Sequence, residues 1–202
     1  MIKSEVSVCA VISRGATVKE SKDGKSFVSF GCTIPLKGRD GDQRELELSV
    51  SCDGEKGLAS ILARGKRVEI LGNLSIRKKD GKVYYNLRAD GGVDVVKSSE
   101  PDKIEGEMTF SGKIGKNGVD VKNDKKGNPF QAFSAFSTDK DGDKAEFIWV
   151  RFLNFTPVEA DFMRAGAYVD VKGDLQFSVY KSDISIDCRV KEIAPTVFNN
   201  NQ

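Results

Sequence analysis

The sequence predicts an all-β chain of two tandem units, each built from five short strands and one short helix. Three observations carry this expectation. The chain repeats itself internally, apolar and polar residues alternate with a period of two, and glycine-containing turns separate the alternating runs.

The repeat is visible in two places. Arg64 to Leu74 aligns with Ala165 to Leu175 at an offset of 101, both reading Gly-x-x-Val-acid-aliphatic-x-Gly-x-Leu. Upstream, Lys22 to Phe30 aligns with Lys125 to Phe133 at an offset of 103. A two-residue difference is a loop-length change, which repeats tolerate. The join falls in the polar, proline-containing stretch Lys97 to Lys103. The expected organisation is a first barrel over 1–98, a linker over 99–105, a second barrel over 106–196 and a polar tail over 197–202.

Strands follow from alternation. Glu45 to Cys52 alternates strictly in the first unit, and Phe147 to Leu153 and Val169 to Leu175 do so in the second. Turns are expected at Asp23-Gly24, Arg39 to Asp42, Asp80-Gly81, Lys126-Gly127 and Asp141-Gly142. One helix fits in each unit. Glu55 to Arg64 is closed by Gly65, and Thr156 to Ala165 has Thr156 as cap, Pro157 in the first helical position and Gly166 at the end. Three strands, a helix and two strands is the order of the oligonucleotide/oligosaccharide-binding (OB) barrel. The fold class is therefore two tandem five-stranded OB-fold barrels. Gly72 and Gly173, in mid-strand, suit a barrel corner.

Composition narrows the function. Four cysteines, Cys9, Cys32, Cys52 and Cys188, lie in apolar or alternating runs without C-x-x-C spacing, and the chain has no histidine. Buried free thiols are expected, and no metal or other cofactor. Without histidine the commonest general base is missing, so no catalysis is expected. Asp139, Asp141 and Asp143 alternate in a turn, but the distal glutamate of a calcium loop is lacking, which favours a solvated turn. No apolar run spans a membrane, and MIKSEVSVCA is no secretory signal, so a cytoplasmic location is the default.

Net charge is only +2, but its distribution is uneven. Residues 1–100 carry 18 Lys or Arg against 14 Asp or Glu, and the remainder 14 against 16. Aromatics run the other way, four before residue 101 and thirteen after it. The halves are not equivalent.

In the second unit, Gly127 to Phe136, Glu146 to Leu153 and Phe162 to Leu175 resemble successive segments of the single-stranded DNA-binding protein family. The resemblance covers residues 106–194 and, less closely, 5–96. It implies sequence-independent binding and protection of single-stranded DNA during replication, recombination or repair. It also implies a homodimer, since some bacterial members carry two barrels per chain and pair. Members commonly recruit replication and recombination proteins through an acidic tail, whereas the last residues here are Asn199-Asn200-Asn201-Gln202, without an acidic group.

Strand parity then selects the binding residues. If Ile148, Val150 and Phe152 fill the core, Phe147, Trp149 and Arg151 face outward. With Phe133 and Ala135 inward, Phe130 and Phe136 also face out. Such a surface can stack unpaired bases at about 1–3 kcal/mol each, or pack against another protein surface. Lysines come from two loops: Lys122, Lys125 and Lys126 in the second unit, and Arg77, Lys78, Lys79 and Lys82 beside Tyr84 in the first. The first unit's third strand presents Glu45, Glu47, Ser49 and Ser51, which would repel phosphate. That unit is expected to be structural or dimerising. An RNA-binding module and a protein–protein adaptor using the same aromatic face remain open alternatives.

Overall fold

The computed structural model describes residues 2–38, 41–97, 99–141 and 144–198, and of Lys140, Asp141 and Lys144 the backbone alone. Arg39, Asp40, Ser98, Gly142, Asp143 and the tail 199–202 lie outside the described residues, as do the side chains on which the Asp141 and Asp143 readings rest.

The first barrel comprises β1 (Ile2–Glu20), β2 (Ser26–Lys37), β3 (Gln43–Asp53), α1 (Lys56–Ile61), β4 (Arg67–Lys79) and β5 (Lys82–Val96). Neighbours run β2-β3-β5-β4-β1, and a further β1–β2 pairing closes the ring. All pairs are antiparallel except β3 and β5, which run parallel with Leu48 opposite Tyr85. The second barrel repeats this order with β6 (Lys103–Asn123), β7 (Pro129–Asp141), β8 (Lys144–Asn154), β9 (Tyr168–Tyr180) and β10 (Asp183–Pro195). Its ring is β6-β7-β8-β10-β9, closed by β6–β9, and β8–β10 is again the parallel pair. Five strands in this order, closed by a bent first strand, make an OB barrel, and the chain contains it twice. By density of contacts, Lys3–Gly106 and Ser178–Ile184 form one compact unit, and Glu107–Phe177 with β10 from Ser185 onward forms the other.

The first strand of each barrel pairs on both sides only because it bends. Register shifts interrupt β1 between Ile12 and Thr17 and β6 between Ile114 and Val119. The alternating residues fill the interiors. In the first barrel Leu46, Leu48, Val50 and Cys52 on β3 are buried against Val28, Phe30 and Cys32 on β2. In the second, Phe152 is fully buried, stacked on Phe133 at 4.9 Å and edge-on to Phe110 at 4.9 Å. Burying a side chain of that size contributes about 3 kcal/mol.

All four cysteines are free and buried. Burial, by penalising the thiolate, pushes the Cys32 and Cys188 thiols up to about 12. It raises that of Cys52 as well.

Two helix expectations need correction. The first helix ends at Ile61, short of Arg64, because Leu62 turns into the core with ψ 58, outside the helical region. Gly65, expected as the cap, instead takes a positive φ of 84 and donates to the Ile12 carbonyl. The second helix, expected over Thr156 to Ala165, is absent. Residues 155–167 form bends and isolated turns. The cause is a buried amide pair at the barrel end. The Gln131 side chain accepts from the Val158 N–H at 3.0 Å and donates to its carbonyl at 2.9 Å, while Asn154 accepts from the Thr156 N–H. These side-chain bonds hold the backbone in a non-helical path, and so short a helix has little cooperativity with which to compete.

Gly72 and Gly173 occupy equivalent places in β4 and β9. A Cβ on Gly72 would fall on the Arg88 carbonyl oxygen, and one on Gly173 on that of Arg189. The strands cross too closely there for any side chain. Gly173→Ala should lower stability by about 3 kcal/mol, read as a lower urea midpoint at unchanged slope, and Gly72→Ala should do the same.

Candidate nucleic-acid interface

The outer face of the second barrel is set by an unbroken antiparallel register between β7 and β8. Phe136 lies opposite Trp149, Thr138 opposite Phe147 and Ser134 opposite Arg151. With Phe133, Ala135, Ile148, Val150 and Phe152 buried, the intervening side chains must point outward. Phe147 is 46% and Trp149 50% exposed. Phe136 joins them, its ring centroid 5.0 Å from that of Phe147 and 4.9 Å from that of Trp149. Phe136 thus touches both Phe147 and Trp149, linking the two exposed rings on a solvent-facing strand pair.

The indole is seated by a residue that sequence reasoning missed. Trp149 leans across the sheet over Gly115 on β6, where a Cβ would sit 2.9 Å from the ring atom Cζ3 and 3.2 Å from the Ser134 carbonyl. Lys113, paired with Phe136 on the other side, places its ammonium 5.5 Å from the Tyr168 ring centroid.

Arg151 projects outward, but its guanidinium is already engaged. Nε donates to Asp187 Oδ1 at 3.0 Å and a terminal nitrogen to Oδ2 at 2.9 Å. Asp187, nearly buried on β10, also accepts from the Ser185 hydroxyl at 2.8 Å. Two of the five donors and the net charge are therefore committed. Phe130 stands apart from the Trp149 cluster and stacks on Phe155 at 5.4 Å, with an interplanar angle of 28°. The Arg189 guanidinium lies 5.1 Å from the Phe155 ring centroid. Phe155 was legible from the same parity that selected Trp149. Arg189 was not, since nothing local announces the parallel β8–β10 pairing.

The β6–β7 turn holds the lysine cluster in place. Asp124 accepts from the Lys126 N–H at 2.7 Å and the Asn128 N–H at 2.9 Å. The Asn128 backbone bond, followed by the Asn128 side chain, holds the Asp124 carboxyl below its usual range. The turn is thus fixed above the ordinary carboxylate pKa and loosens as pH falls through the depressed value. Lys125 and Lys126 are exposed on it, and Lys122, opposite Phe130, lies 3.6 Å from Asp120.

In the first barrel, Arg77, Lys79, Lys82 and Tyr84 are exposed on the β4–β5 hairpin, with Lys78 half-buried. Asp80 and Gly81 form the tip with φ of 50 and 78, the paired positive values a tight hairpin demands. Lys82 lies 5.6 Å from the Tyr84 ring centroid. Tyr85 points inward, and burial pushes its hydroxyl up to about 12. Glu45, Glu47 and Ser49 are exposed and Ser51 is half-buried. These carboxylates line a groove of about 730 Å³ with Arg14, Thr33, Lys82 and Tyr84.

Among the described residues no cluster of three or more Cys, Asp or Glu could hold a metal ion, and no helix is long and apolar enough to cross a membrane.

Fold and surface together define a class, the tandem OB-barrel proteins with one aromatic-faced barrel. No family model matches the chain, and no curated protein matches it in sequence. The chain is similar in fold to the wild-type single-stranded DNA binding protein from Thermus aquaticus, with a TM-score of 0.50 at 13% identity over 98% of this chain and 95% of that one. A deletion mutant of that protein gives a TM-score of 0.48 at 14% identity over 98% of both chains. Plasmodium falciparum SSB in complex with ssDNA matches at a TM-score of 0.33 and 17% identity over 44% of this chain and 90% of that one. At such identities the likeness is one of fold.

Gly115→Ala should displace the indole from β6. The expected result is red-shifted tryptophan emission with a stability loss of no more than about 2 kcal/mol, because the atom in the way is the far end of a side chain.

Proposed function

We propose that the chain binds single-stranded DNA without sequence preference and catalyses nothing. The observation that carries this reading is the cluster of Phe136, Phe147 and Trp149 on the outer face of an OB barrel, in which the half-buried Phe136 ring touches both exposed ones. Large apolar rings side by side on a surface call for a partner. Unpaired bases supply flat faces that stack on them whatever the sequence. The fold supports the reading, since OB barrels hold oligonucleotides on the face of their second and third strands, here β7 and β8.

In this reading the bases lie on Trp149 and its neighbours, Phe130 adds a contact further along β7, and Lys122, Lys125 and Lys126 neutralise phosphates. Arg151 orders the surface more than it grips, because its charge is balanced by Asp187. The first barrel contributes its basic hairpin, Arg77, Lys78, Lys79 and Lys82 with Tyr84, while the carboxylates of β3 keep the strand off that barrel's face. The first barrel then acts chiefly as a structural or dimerising unit, and residues 99–105 as the join. The biological setting is protection of single-stranded DNA in the cytoplasm during replication, recombination or repair.

The single tryptophan supplies the assay. Oligothymidine should quench its emission, and log affinity should fall linearly with log salt as counterions are released. Phe147→Ala with Trp149→Ala, measured by anisotropy of labelled oligothymidine, should lower affinity by about ten- to several-hundred-fold, the loss expected for one to two stacked bases. Unchanged binding by the double variant would remove the aromatic platform. Preference for an RNA oligomer of matched sequence, or binding of neither polymer, would favour an RNA module or a protein adaptor in its place.

A further inference from the structure

We infer that the second barrel carries a second stacking station, formed by Phe130, Phe155 and Arg189, which takes bases of the same strand several nucleotides away from the Trp149 cluster. The inference rests on the nucleic-acid reading above and adds residues and a length requirement to it.

Geometry separates the two stations and puts them on one face. From Gln131 to Asp141 the β7–β8 register runs without a shift, so the alternation that points Phe136 outward also points Phe130 outward. Six residues of extended strand place them about 20 Å apart. No aromatic ring lies between them: the outward positions are Ala132 and Ser134 on β7 and, on β8, the half-buried Leu153 and Arg151, which is clamped to Asp187. A stacked strand rising about 3.4 Å per nucleotide covers that distance in about six nucleotides, within the span of about 4–16 nucleotides held by one OB fold.

The chemistry of the second station selects an anionic, aromatic ligand. Phe155 stays 44% exposed although it touches both Phe130 and Arg189, so the stack is not core filling. The exposed guanidinium of Arg189 presents a flat cationic surface, suited both to a base plane and to a phosphate. Among the described residues no carboxylate lies within ion-pair reach of it, in contrast to Arg151. The β6–β7 lysines adjoin the station, since Lys122 is the register partner of Phe130. The Asp124 carboxylate beside them is turned into its own loop, accepting bonds from Lys126 and Asn128. A single strand long enough to reach from Trp149 supplies bases and phosphates together.

Oligothymidines of about 4 and about 12 nucleotides, lengths below and above the span between the stations, separate this inference from the reading beneath it. Phe155→Ala and Arg189→Gln should each lower affinity for the longer oligomer about ten-fold. Quenching of Trp149 by the shorter one should stay as in the wild type. Phe155→Leu, which keeps apolar volume but loses the ring, should act like Phe155→Ala and decides the matter if the alanine variant unfolds by circular dichroism. Wild-type affinity for the longer oligomer in the Phe155 variants overturns the station while leaving the Trp149 platform standing. An effect of Arg189→Gln alone, vanishing at high salt, overturns stacking there and leaves only a phosphate contact. If the wild-type protein quenches with neither oligomer, the nucleic-acid reading and the second station fall together.

Discussion

A closed barrel has one inside, and a strand has only two sides. Along β7 and β8 the side chains that must fill the interior, Phe133, Ala135, Ile148, Val150 and Phe152, fix the orientation of every residue between them. A slip of one residue would bring Phe147, Trp149 and Arg151 inside and expose the core, so the packing energy of the interior also enforces the outer surface. Phe152, held between Phe133 and Phe110, sits at the centre of that arrangement. The exposed rings are costly to hydrate, and it is the buried ones that hold them there.

Much of this was legible in the sequence because it is local. Alternation, glycine turns and the internal repeat gave the strand order, the mid-strand glycines and the parity of Trp149. What escaped depends on partners far along the chain. The second helix is displaced by Gln131, 27 residues before the Val158 backbone it binds. Arg151 finds its counter-ion 36 residues later, through a parallel pairing that no hydrophobic pattern announces. Nothing in the sequence around Gly115 marks it as the residue over which the indole lies. One clue was available locally: the outward parity of β8, continued past Trp149 and Arg151, runs on to Phe155.

The two barrels show how little a fold dictates. Both have the same strand order and the same crossing glycines, yet the third strand of one presents Glu45 and Glu47 where that of the other presents Phe147 and Trp149. Interior positions are constrained by volume and polarity, whereas outward positions are free to diverge once the interior is satisfied. A duplicated barrel can therefore keep one copy's architecture while its exposed chemistry is rewritten.

The cysteines have a practical consequence. All four sulfur atoms are enclosed by packed side chains, and for Cys32 and Cys188 the thiolate is suppressed throughout the neutral range. Alkylating reagents attack the thiolate and need access to it, so modification must wait for a barrel to open. Because Cys9, Cys32 and Cys52 lie in the first barrel and Cys188 in the second, the order in which they are labelled reports which barrel opens first.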